Sequence, residues 1–128
     1  MKNSVEINLP VVEDPSSTVV MHHLSSFLDN DMKALMSDYT NESVLITQDA
    51  IYTGLTEIES YLAGLVIHFP KGKANLELDK IVVRDKLVYI VWHATTPTLQ
   101  VTLGSDTFII KEGKIFIQTF VGVMKFVD

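Results

Sequence analysis

Apolar positions recur every three to four residues through the first half of the chain and every second residue from Asn75 onward. After "DPSS" at Asp14 to Ser17, the positions Val20, Leu24, Phe27 and Leu28 stand at helical spacing. Asp14 or a serine caps this helix, and Pro15 suits its first position. "DND" at Asp29 to Asp31 breaks it and starts a shorter helix carrying Met32, Leu35 and Met36. "YTNESVLIT" predicts a turn and a short strand, and "TQDAIYTG" a loop or hairpin ending at Gly54. Thr56 and Glu59 read as the capping box of a third helix, with Ile58, Tyr61, Leu62, Leu65 and Phe69 as its inner stripe, ended by Pro70 and "KGK". "LELDKIVVRDKLVYIVWHATT" then predicts two strands around a turn at Arg84 to Lys86, and "TLQVTLGSDTFIIKEGKIFIQTFVGVMKFVD" two more around Glu112-Gly113. In residues 1–13, Val5, Ile7 and Leu9 alternate before Pro10, as in a short edge strand or an arm. Helices first and strands afterwards predict an α+β class: three N-terminal helices packed on one face of a strongly curved antiparallel sheet.

Composition narrows this picture. The 128 residues suit one domain, 1–128, with 1–13 as an N-terminal arm. A hydrophobic share of 47% supports a full core and argues against disorder. There is no cysteine, which excludes disulfides and thiolate metal sites. The net charge of −6 and the lack of any basic cluster make nucleic acid and anionic membranes poor partners. No apolar run reaches signal-peptide length or the roughly 18 residues of a membrane span, so the expectation is a soluble, cytoplasmic protein.

One residue is out of place in this pattern. Asp106 lies inside the apolar, β-branched stretch "GSDTFIIKEGKIFIQTF", where a carboxylate is costly without water, a partner or a proton. With the turn at Glu112-Gly113, outward pairing sets Lys111 opposite Lys114, Ile110 opposite Ile115, Phe108 opposite Ile117 and Asp106 opposite Thr119. Asp106 then shares an inward face with Phe108, Ile110, Ile117, Thr119 and Val121, and a one-residue bulge would reverse the arrangement. The other face carries Thr107, Ile109, Phe116, Gln118, Phe120 and Met124, an apolar patch that no helix remains to cover. His23, three residues after Val20 and four before Phe27, falls on the buried stripe of the first helix, while His22 turns to its flank. Trp92 and His93 are adjacent in a strand, so at most one faces inward. The histidines have no metal spacing, and no metal or cofactor is assigned.

The order and spacing of "LDNDMKALMSDYTNESVLI", "YTGLTEIESYL" and "DTFIIKEGKI" with "QTF" after it resemble the NTF2-like superfamily, specifically its SnoaL-like branch, from about Pro15 to Phe126. The resemblance implies a cone-shaped sheet around an apolar pocket and a homodimer formed through the convex sheet face. Ketosteroid isomerase, polyketide cyclases, scytalone dehydratase, limonene epoxide hydrolase and non-catalytic binding proteins share that fold. The position matching Asp106 carries a protonated aspartic acid in ketosteroid isomerase and a proton-transfer group in related cyclases. His23 matches the isomerase's oxyanion-donating tyrosine. The isomerase's general base falls at about Thr47, which cannot serve as one near neutral pH, so a literal isomerase is not implied.

Three functions compete. The first is a cofactor-free isomerase, cyclase, dehydratase or hydrolase of a small apolar molecule, using Asp106 and His23 as acid-base groups. The second is a module binding such a molecule with weak acid-base activity or none. The third is a dimeric scaffold with a vestigial pocket. The missing base favours the second and third over a literal isomerase, and the buried acid with an inward histidine favours the first two over the third. Trp92, Phe27, Tyr52, Tyr61, His68, Phe108 and Thr119 are the candidate lining of the pocket.

Overall fold

In a computed structural model, the structure describes residues 4–7 and 14–127. The leader's Leu9 and Pro10 lie outside the described residues. Ser4–Ile7 forms strand β1, paired in parallel with Asn75–Leu78. The leader thus contributes an edge strand.

Helix α1 spans Pro15–Leu28. Asp14 caps it: its side chain accepts from Ser16 N at 2.8 Å, with Pro15 in the first position. The helix ends because Asn30 turns left-handed (φ 55°), and the Asn30 side chain then ties two segments together. Its Nδ2 donates to Phe69 O at 2.8 Å, and its Oδ1 accepts from Lys71 N at 2.8 Å. Asp31 caps the short helix α2, Met32–Met36. Strands β2 (Val44–Thr47) and β3 (Ile51–Thr53) form a hairpin, the second of the two readings open for this stretch.

Helix α3 runs from Gly54 to Val66, starting earlier than its sequence signature suggests. Thr53 is the cap residue, and Glu57, not Glu59, reaches back to accept from Thr53 N at 2.8 Å. The Thr56–Glu59 capping box is therefore corrected: Gly54 tolerates φ +82° at the strand-to-helix corner, which lets the helix begin before Thr56. The inner stripe holds, with Ile58, Leu62 and Phe69 buried and Tyr61 and Leu65 partly so.

Strands β4 (Asn75–Arg84), β5 (Leu87–Thr95), β6 (Leu99–Lys111) and β7 (Lys114–Phe126) complete one seven-stranded sheet. Its order is β1-β4-β5-β6-β7-β2-β3. The β1–β4 and β2–β7 pairs are parallel, so the sheet is mixed, a correction to the antiparallel expectation. Both short strands enter the sheet beside a strand distant in sequence, which allows parallel pairing without a hairpin. Helix α1 packs over β5 and β6, and one apolar cluster fills the space between. It joins Val20 and Leu24 of α1 to Ile58 of α3 and to Leu78, Ile90, Phe108 and Ile115 of the sheet. Among the described residues no helix is long and apolar enough to cross a membrane.

The final hairpin departs from its expected register. Lys111 faces Lys114 and Ile110 faces Ile115, but Ile109 then faces Ile117. Phe116 is the extra residue of a β-bulge. Beyond it Phe108 faces Gln118, Thr107 faces Thr119 and Asp106 faces Phe120. Because side chains alternate, one inserted residue exchanges the faces of everything after it on β7. Gln118 and Phe120 are buried on the helix side, while Ile117 and Thr119 sit on the outer side with exposed Val121.

Candidate functional site

The helices and the inner sheet face enclose a cavity lined by His23, Leu24, Phe27, Leu45, Tyr61, Leu62, Leu65, Leu76, Trp92, Asp106, Gln118 and Phe120. Water centres can occupy about 40 Å³ of it, and the whole empty concavity, mouth included, is about 460 Å³. The first figure leaves room for roughly three waters. An organic guest therefore has to use the mouth or move apolar side chains.

Asp106 is fully inside, 6% exposed, on β6 between Gly104 and Phe108. Both of its oxygens are bonded. Oδ1 accepts from Trp92 Nε1 at 2.8 Å, and Oδ2 accepts from Gln118 Nε2 at 2.9 Å. Burial pushes its pKa up to about 6, and those two donors oppose the rise. Trp92 is held where it can reach Asp106 by an unusual floor. A Cβ at its cross-strand neighbour Gly104 would lie 2.4 Å from the indole, so only glycine lets the ring rest on β6. The indole also stacks with Phe120, with centroids 5.9 Å apart and planes at 14°.

His23 lies across the cavity on α1 and is 5% exposed. Phe108 packs edge-on to its ring at 5.4 Å, and Tyr39 does so at 6.0 Å. Burial, with a smaller effect of neighbouring His22, lowers its pKa to about 4, so it is neutral at physiological pH. Its Nδ1 is 3.4 Å from the Tyr39 hydroxyl, which in turn donates to Gln118 Oε1 in a short hydrogen bond. Asp106 and His23 are thus joined through Gln118 and Tyr39. Desolvation also holds the Tyr39 hydroxyl far above its ordinary pKa and moves that of Tyr61 up to about 12, so both stay protonated.

The candidates sort as follows. His23, Phe27, Tyr61, Trp92 and Asp106 line one cavity. Phe108 is fully buried against His23, and Tyr52 packs at a tilt on Tyr61, with centroids 4.7 Å apart; neither lines the cavity. His68 is set aside, against the Phe126 ring at 5.1 Å. Thr119 faces outward because of the bulge and does not line the cavity. His93 also faces outward, between Asp79 (2.7 Å) and Glu77 (3.1 Å), and these bonds raise its pKa. His22 turns to the flank as its spacing predicts and bonds Asp38 at 2.7 Å. Thr47 Oγ1 accepts from the Asp49 and Ala50 amides, both at 3.2 Å, in the β2–β3 turn. It does not line the cavity. Sequence reasoning missed Tyr39, Gln118 and Phe120. Gly122 was the available signal: it faces Gly104 across β6 and β7, and two facing glycines mark a place where large rings lie over the backbone. Among the described residues no group of three or more His, Asp or Glu side chains is placed to hold a metal ion.

No family model matches the sequence, and no curated protein matches it. Solved structures do. An NTF2-like protein of unknown function from Cytophaga hutchinsonii superposes with a TM-score of 0.70 at 7% identity, over 91% of this chain and 94% of that one. The fold is NTF2-like. A structure provisionally assigned as a SnoaL-like polyketide cyclase from Shewanella denitrificans matches with a TM-score of 0.71 at 13% identity, over 87% and 92% of the two chains. An epoxide hydrolase of the LEH-like type from M. tuberculosis matches with a TM-score of 0.66 at 13% identity, over 85% and 83%. At such identities the NTF2-like likeness concerns architecture, and chemistry has to be argued from the residues of the cavity.

Proposed function

We propose that this NTF2-like chain binds a small apolar molecule in the cavity between α1, α3 and the sheet, without catalysis or with weak acid-base activity. The observation that carries this reading is the buried pair Asp106 and His23, with Gln118 and Tyr61 beside them, set among mostly apolar lining residues. A cavity with no guest is filled most cheaply by apolar side chains, whereas burying a carboxylate and an imidazole together is costly. Trp92 and Phe120 supply a flat wall for a ring or acyl chain, and the Leu62 and Leu65 side chains can yield to it. Trp92 is the only tryptophan, so its fluorescence and its indole N–H resonance report on the cavity alone. Titration with a panel of small aromatic and terpenoid compounds should move both signals saturably. If no compound shifts the Trp92 resonance at millimolar concentration, the binding reading fails.

A second reading, a cofactor-free isomerase, cyclase, dehydratase or hydrolase, is supported by the pKa of Asp106. Near 6, the carboxyl can give and take a proton around neutrality. The structural use of Thr47 argues against ketosteroid isomerase chemistry in particular. The outer sheet face supports a homodimer. Ile46, Leu103, Val121 and Val123 are all exposed there, 37–56% accessible, on β2, β6 and β7. An apolar patch of this kind is satisfied by a two-fold partner offering the same surface.

A further inference from the structure

The polar groups of the cavity form a chain with a direction. Asp106 Oδ2 accepts from Gln118 Nε2, which turns the Gln118 carbonyl the other way, and that carbonyl accepts from the Tyr39 hydroxyl. A hydroxyl has one proton to give. With that proton committed to Gln118, Tyr39 can only accept from His23, whose Nδ1 lies 3.4 Å away. A neutral imidazole carries one N–H, and burial keeps His23 neutral. If the proton is on Nδ1, the lone pair is on Nε2. Among the described residues no group bonds Nε2, yet it is not a sealed, unsatisfied atom, and His23 lines the cavity. The cavity is therefore the space left for its lone pair.

We infer that Asp106, acting through Gln118 and Tyr39, fixes His23 in the Nδ1–H form, so that Nε2 faces the cavity as an acceptor and the pocket selects an apolar molecule carrying one hydroxyl or N–H donor. This rests on the reading of the cavity as a binding site and names the class of guest. Gln118 and Tyr39 are positioning residues, because they act on the guest through His23. The direction of the chain is reversible. A neutral group at Asp106 that donates to Gln118 flips the amide, the amide donates to Tyr39, Tyr39 donates to Nδ1, and Nε2 acquires the proton. The pocket would then favour an acceptor. The titratable groups near the chain are Tyr61 beside Asp106, His22 beside His23, and Asp38 near Tyr39. Tyr61 stays protonated over the working range, and His22 and Asp38 bond each other outside the cavity lining. Asp106 is therefore the member of the chain whose ionisation sets its direction.

The test uses the intact protein labelled with 15N in histidine. At pH 7.5, the His23 Nδ1 shift should be of the protonated type and Nε2 of the bare type. Asp106→Asn should exchange the two, and Tyr39→Phe should release His23 to the Nε2–H form that free imidazoles favour. Bare Nδ1 in the wild type would overturn the inference, as would a tautomer unmoved by both variants. Phenol and anisole, followed at the Trp92 indole N–H, supply the second readout. Phenol should bind about tenfold more tightly in the wild type, the size of one buried hydrogen bond. The preference should collapse in Asp106→Asn. Equal affinity in the wild type would refute the donor selection while leaving the pocket. Binding of neither probe would count against the binding reading itself, with the tautomer measurement still deciding the chain's direction.

Discussion

Gly104→Ala tests the architecture of the site with the smallest possible change. The added Cβ would lie 2.4 Å from Trp92 Cε2, 2.6 Å from Cζ2 and 2.8 Å from Cδ2, where ordinary contact begins at 3.4 Å. The indole is rigid and buried beside Phe120, so it has to move by about 1 Å as a body. A shift of that size breaks the 2.8 Å bond from Trp92 Nε1 to Asp106. Overpacking costs roughly 1–3 kcal/mol, and a lost bond to a buried carboxylate roughly 1.5–3. The two share one displacement and do not add fully, so a loss of about 2–4 kcal/mol is expected. With a urea slope of about 2 kcal/mol/M, the unfolding midpoint should fall by about 1–2 M. Gly64, which has nothing within 4 Å of an added Cβ, is the control: Gly64→Ala sits inside α3 and should stabilise by up to about 1 kcal/mol. Carboxyl NMR supplies the second arm, since losing the Trp92 donor should move the Asp106 midpoint above about 6. A Gly104→Ala protein as stable as wild type to within about 0.5 kcal/mol, the scatter of an innocuous surface change, with the Asp106 midpoint unmoved, would refute this account of how Trp92 is held.

Stability should depend on pH through two opposing groups. Asp106 has its pKa raised from 3.8 to about 6 in the fold, so it contributes stability below pH 4 that is lost as pH rises to about 6. His23 has its pKa lowered from 6.5 to about 4, so its contribution is present above pH 6.5 and is lost as pH falls to about 4. Each is about 3 kcal/mol, and they nearly cancel between pH 4 and 6. Relative to wild type, Asp106→Asn should therefore gain stability with rising pH across this window, and His23→Gln should lose it; slopes of the same sign in urea titrations would contradict both assignments. His23→Ala should weaken the response of Trp92 to bound aromatics more than it lowers the unfolding midpoint, and the reverse ranking would make His23 a packing residue only. On the outer face, light scattering should give the mass of two chains, falling to that of a single chain when the exposed Val121 is changed by Val121→Glu; a single-chain mass for the wild type at micromolar concentration would exclude the dimer.

The helices, the hairpins and the place of Asp106 and His23 were legible in the chain because each depends on neighbours close in sequence. The α1 stripe that puts His23 inward follows from a period of 3.6 and the Asp14 cap, and inward Asp106 follows from alternation along β6 alone. The Glu112-Gly113 turn was likewise marked by Gly113, which takes left-handed backbone freely (φ 75°). What could not be read depended on partners distant in sequence. The bulge at Phe116 sits where β7 lies between β6 and β2, and it decides which face Gln118, Thr119 and Phe120 take. The start of α3 at Gly54 depends on the β2–β3 hairpin that delivers the chain there. Tyr39 follows α2 in a stretch read as a turn, and only the packing of that stretch against β7 brings its hydroxyl to Gln118. The buried carboxyl and imidazole were therefore visible locally, while the hydrogen bonds that give them direction arise only where α1, β6 and β7 meet.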